Sequence, residues 1–168
     1  MDTATFYATT SAVSFTLLGF WWVVVQFRHE EMTQDPGRRR LAFVVSLHFV
    51  LPGLMSLGAL LTGDAPAVWR LTFGVAGIAG MTAVIVASRG IKEPTGAIAM
   101  IGRYEWIALP LYAVLTLVAV RPDLVQPAIG LAPLQVEGAV MTLLVFLGII
   151  FAWALFTEPN PTAVRTEP

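Results

Sequence analysis

The sequence predicts an all-α, polytopic integral membrane protein, a five-helix transmembrane bundle with its N-terminus outside and its C-terminus in the cytoplasm. Three observations lead there. Only 12% of the 168 residues are charged, while 57% are apolar. Those charges cluster, leaving residues 3–27, 41–63, 71–88, 106–120 and 138–157 with none. A soluble helix needs charge on its outer face, and charge-free runs in soluble domains seldom exceed about a dozen residues. Third, no stretch alternates apolar and polar residues over about ten positions, as a transmembrane β-barrel would require. High apolar content with a net charge of -1 also excludes a disordered chain and any general attraction to nucleic acid.

About 20 apolar residues, rising about 1.5 Å each, cross a hydrocarbon core of about 30 Å. On that measure residues 1–168 form one transmembrane domain with spans at 5–27, 41–62, 68–88, 104–120 and 136–156. The first span follows Met1-Asp2-Thr3, which lacks the basic segment of a secretory signal, and it reads as a retained helix. Before the second, Asp35-Pro36-Gly37 has the chemistry of a turn. Residues 63–67 form a tight connection, making spans two and three an antiparallel hairpin. The fourth span is short, and two starts are open: Thr95, just after Pro94, or Tyr104. Residues 121–135 interleave Leu124, Val125, Ile129, Leu131 and Leu134 with Pro122, Pro127 and Pro133. That segment is not expected to be a regular helix, and its apolar side chains are expected on the bilayer surface, on a partner, or over the bundle itself.

Orientation follows from the basic residues, which are retained on the cytoplasmic side. Arg28, Arg38, Arg39, Arg40, Arg89, Lys92, Arg103 and Arg165 fall on one side, and only Arg70 and Arg121 on the other. The expected location is the inner membrane of a bacterial cell, the latter from an Arg-rich, Lys-poor composition.

His48 is the ionisable residue deepest in a span, roughly 10 Å from its cytoplasmic end. Pro52, four residues on, has no N–H and leaves the carbonyl of residue 48 without its helical donor. Pro110 does the same for Trp106. A polar intramembrane site of His48, Pro52, Tyr104, Glu105, Trp106 and Pro110 is therefore expected in the cytoplasmic half. The plainer alternatives are a neutral His48 bonded to a neighbouring helix, and a Glu105 paired with Arg103 or Arg89 at the headgroups. On the opposite side Asp64, Arg70, Arg121, Asp123 and Glu137 outline an outer vestibule, or simply loop charges facing water. Span three carries Ala76, Gly80, Ala83 and Ala87 at spacings of four, three and four. Small residues let helices approach closely in lipid, which marks this span as the buried centre or a self-association surface. Thr9, Thr10, Ser11, Ser14 and Thr16 are expected to hydrogen-bond between helices.

No catalytic set, metal site or cofactor is predicted. Cys is absent, and His29 and His48 lie about 13 Å apart in depth, too far for two ligands of one haem iron. Neither a nucleophile elbow nor a phosphate-cradling loop is present. Three functional readings follow. The first is a non-enzymatic accessory or assembly subunit that packs through span three and the apolar outer segment. The second is an oligomeric channel or transporter for a proton, ion or small solute, with its polar site around His48 and Glu105. The third is a membrane-embedded enzyme acting on lipid, with Glu105 and His48 as acid and base. The expected partners are the lipid bilayer and either further copies of the chain or a larger membrane complex.

Overall fold

The computed structural model describes residues 2–63, 65–89 and 105–157, with the side chains of residues 31–33 and 105 outside that description. All regular structure among the described residues is helical: α1 (Thr3–Phe27), α2 (His29–Gln34), α3 (Pro36–Leu60), α4 (Ala67–Ser88), α5 (Ala108–Val120), α6 (Val125–Ile129) and α7 (Pro133–Thr157). Short 3-10 turns at Glu105–Ile107 and Pro122–Leu124 precede α5 and α6.

Four helices, α1, α3, α4 and α7, are each long and apolar enough to cross a membrane. At 13 residues, α5 extends only about 20 Å. It makes a fifth candidate only together with the segment to Ile129, against which it is bent by 98°. The expected five spans thus become four to five. Both proposed starts of span four, Thr95 and Tyr104, lie outside the described residues. Pro110 stands in the first turn of α5, where a missing N–H costs no helical bond, so it starts that helix rather than breaking it.

The helix ends have identifiable chemistry. The Asp2 carboxylate accepts the Thr5 backbone N–H at 2.7 Å and caps α1. That hydrogen bond holds Asp2 below the usual carboxylate range. Asp35 accepts the Gly37 N–H at 2.7 Å, and Pro36 takes the first helical position. The turn expected there is therefore the start of α3, which carries Arg38, Arg39 and Arg40 in its first turns. Gly130, at φ 72°, ends α6 in the left-handed region that favours glycine. Pro133 then opens α7, and the Gln135 side chain reaches back to accept the Ala132 N–H at 2.9 Å.

Two helix C-termini are closed by arginines from other helices. Arg28 donates to the carbonyls of Leu155 and Phe156 at 2.6 and 2.9 Å, at the end of α7. Arg70 of α4 donates to Ala119 and Val120 at 2.9 and 3.0 Å, at the end of α5. Each supplies positive charge where unpaired carbonyls concentrate. Arg70→Gln is expected to lower stability by about 1 kcal/mol, read as a shifted unfolding midpoint in detergent. An unchanged midpoint would show that the cap contributes nothing.

The centre of the bundle is α3, which packs against α1, α4 and α7. One cluster of the core gathers Met55, Phe73, Tyr112, Leu115, Met141 and Leu144. Trp21, Leu41, Val45, Phe49, Phe151 and Leu155 form a second cluster. Span three, expected from its small residues to be the buried centre or a self-association surface, is α4, which packs against α3 and α5. Its glycines serve one close helix pair. A Cβ added at Gly80 would fall on the Tyr112 ring, and one at Gly77 would lie 3.0 Å from the Tyr112 carbonyl. Ala76 and Ala87 are buried beside them, and Ala83 is partly buried.

Candidate functional site

The interior stripe of each packed helix is apolar except at a few positions, and those buried polar positions lie at several depths of the bundle. On α7 the stripe runs through Glu137, Val140, Met141, Leu144, Gly148 and Phe151, all buried. This i, i+3, i+4 spacing turns Glu137 into the bundle although it lies only four residues after Pro133. Glu137 is fully buried, and neither carboxyl oxygen has a hydrogen-bond partner in the protein. A buried polar group without a partner costs roughly 1–3 kcal/mol by mutational measures. Its neighbour from α1 is Tyr7, whose hydroxyl donates to the Leu134 carbonyl at 2.6 Å, one turn before Glu137. The Glu137 carboxyl lies within electrostatic reach of that phenol.

Deeper in the bundle stands His48. A Cβ added at Gly148 would come within 2.8 Å of the His48 Cβ, so the imidazole is level with that glycine. Eleven residues of α7 separate Gly148 from Glu137, which sets the two ionisable groups roughly 16 Å apart in depth. His48 Nδ1 lies 2.8 Å from the Val44 carbonyl. A carbonyl only accepts, so Nδ1 carries a proton, and with the ring neutral Nε2 presents a bare lone pair. That Nε2 is buried and has no hydrogen-bond partner. The ring sits 5.9 Å from Tyr112 and 5.7 Å from Phe151, centroid to centroid.

Three hydroxyls share the interior. Ser56 lies two turns beyond His48 on the same face of α3, about 12 Å toward Glu137. Ser14 faces the core from α1, and Tyr112 from α5. All three oxygens are buried without a protein partner. Four different helices therefore contribute polar groups with spare hydrogen-bonding capacity to one apolar interior.

The sequence-derived groups are distributed differently. Within the cytoplasmic set, His48 and Pro52 are buried on α3, which continues as a helix through the proline. Trp106 is exposed, Tyr104 lies outside the described residues, and so does the Glu105 side chain. Within the outer set, Arg70 caps α5. Arg121 and Asp123 pair at 3.0 Å on the surface, and the guanidinium hydrogen bond holds Asp123 below its ordinary range. Asp64 lies outside the described residues, and Glu137 points inward, away from that surface pair. The hydroxyls of α1 divide similarly: Thr9 and Thr16 bond back to their own helix, and Ser11 reaches the Gly53 carbonyl of α3 at 3.5 Å.

Comparisons with protein families, characterised proteins and solved structures give no match to this chain.

Proposed function

We propose that this chain is a multi-pass membrane protein that carries protons through its own bundle, with Glu137 and His48 as the groups that accept and release them. The observation supporting this reading is Glu137: a carboxyl group fully buried among apolar side chains, with neither oxygen bonded to the protein. Ionisable groups at membrane depth are costly and mark ion or proton routes. The bare Nε2 of His48 extends the same chemistry toward the opposite face.

A proton suits these groups better than a metal cation. Hard cations need about six or more oxygen ligands at once. Among the described residues no three His, Asp or Glu side chains gather closely enough to hold a metal. A proton needs one acceptor at a time, and Glu137, Ser56, Tyr112 and His48 each offer one. The basic-residue bias supports the N-terminus outside and the C-terminus in the cytoplasm, which puts Glu137 nearer the outer face. The same composition favours the cell membrane of a bacterium.

The test is reconstitution into liposomes holding a pH-sensitive dye, with a potassium diffusion potential as driving force. Proton entry above that of protein-free liposomes is expected, reduced at least tenfold by Glu137→Gln and by His48→Ala. Wild-type flux equal to the protein-free rate would remove the reading.

A second reading, a subunit of a larger membrane complex, is favoured by the outer segment. Leu124, Ile129 and Leu131 are exposed there on a stretch bent away from α5. If it holds, mild-detergent isolation recovers a stoichiometric partner, whereas repeated recovery of the chain alone counts against it.

A further inference from the structure

Between the first turns of α1 and α7 lies a cleft of about 330 Å³, with Asp2 and Gln135 among its polar lining and Phe6, Tyr7 and Leu134 in its walls. Asp2 is exposed, and its carboxylate is fixed by two hydrogen bonds from Thr5, at 2.7 and 3.1 Å. The anionic end of the cleft thus stays in one place. Tyr7 is 1% exposed, and its hydroxyl bridges from α1 to the Leu134 carbonyl of α7. Glu137 is on the next turn of α7, facing the bundle interior. The phenol therefore lines the cleft and bonds one turn before a buried carboxyl with two unbonded oxygens.

We propose that this cleft is the outer entrance through which water and protons reach Glu137, and that Tyr7 is its latch. The inference rests on the reading of Glu137 as a proton-accepting group. With the hydroxyl on the Leu134 carbonyl, the ring closes the path between α1 and α7. When that bond opens, the ring swings on its Cα–Cβ bond, and water from the cleft touches the carboxyl. The Leu134 carbonyl loses little by this, because it lies within α7 and keeps its helical acceptor role. The latch is one hydrogen bond strong, which suits a gate that must open repeatedly.

Two further observations separate this from a packing contact. Tyr7 is also edge-on to Phe6 at 5.3 Å and to Phe73 at 6.2 Å, so its ring has apolar neighbours whether or not the hydroxyl is present. The hydroxyl is thus dispensable for filling space, and its bond across the α1/α7 seam is what fastens the ring in the closed position. Asp2, Gln135 and Tyr7 also line the same cavity, giving water polar partners within it.

The test reads access to Glu137 separately from flux. Intact vesicles are treated from outside with a water-soluble carbodiimide and a small amine, and amide formation at Glu137 is measured by peptide mass. Tyr7→Phe, which keeps the ring, is expected to raise the rate of modification roughly fivefold, the scale of one net hydrogen bond. Gln135→Cys, in this cysteine-free chain, labelled from outside with a charged thiol reagent, is expected to suppress it. Proton flux in liposomes should follow the same order. Modification that follows this pattern without any flux keeps the entrance and discards proton carriage. Flux that is present and insensitive to both changes, with modification also unchanged, overturns the entrance. Labelling at Gln135→Cys is itself verified by mass, so an unlabelled site cannot pass for an open one.

Discussion

Glu137→Leu is expected to produce a protein that is harder to unfold than the wild type and that carries no protons. Both halves come from the same feature. A carboxyl group buried without a partner costs roughly 1–3 kcal/mol, and its ionised form far more. Leucine has similar volume and suits the surrounding stripe of Val140, Met141 and Leu144. Exchanging buried polar groups for well-packed apolar ones is often neutral or stabilising by about 1–4 kcal/mol. The gain expected here is about 1–3 kcal/mol, read as a later midpoint in thermal or denaturant unfolding in a fixed detergent. Glu137→Gln tells the two effects apart, since it keeps a polar amide in the same place and removes the exchangeable acid. It should abolish flux with little gain in stability. A Glu137→Leu protein less stable than wild type would mean that the carboxyl has a partner, and the functional reading would lose its support.

The second large effect is expected at Gly80. Its added Cβ would fall on the ring of Tyr112, a side chain only 1% exposed and 5.9 Å from the His48 ring. Tyr112 has nowhere to move without displacing α5 or the imidazole. Gly80→Ala is therefore expected to destabilise by about 1–3 kcal/mol, although alanine favours a helix over glycine by nearly 1 kcal/mol. Gly74→Ala is the control. Its added Cβ would lie 3.9 Å from the Ala119 Cβ, an ordinary contact, so the helix preference should prevail and stability should rise slightly. Equal stability for the two variants would refute the close approach of α4 and α5. The Gly80 change should also reduce proton flux, because the displaced phenol lies against His48.

The helices were legible in the sequence because hydropathy depends on length and charge, both local properties. The start of α3 was legible too, since Asp35 followed by Pro36 is a helix N-cap with proline at the first position, although the same residues also describe a turn. Tertiary packing decided between them. The two arginine caps were out of reach, because Arg70 and Arg28 look like loop charges until the carbonyls of another helix are brought alongside. Glu137 was missed as an interior group for a different reason. Hydropathy starts the last span near Val136 and leaves the acid at its edge, whereas Pro133 begins the helix a turn earlier. Its spacing to Val140, Met141 and Leu144 carried the needed signal, as a question of direction rather than depth. The interior placement of His48 was readable from its distance to the nearest charge. Its partner at Val44 and its bare Nε2 depend on geometry that spacing alone does not give.

The arginine at the end of α1 has a consequence for how the molecule is born. Arg28 stands at the end of α1, while the carbonyls it holds, those of Leu155 and Phe156, lie 127 and 128 residues later, at the end of α7. The clasp therefore closes only after α7 has been synthesised. Until then the face of α3 that α7 covers, with His48 opposite Gly148, lacks that helix as its neighbour.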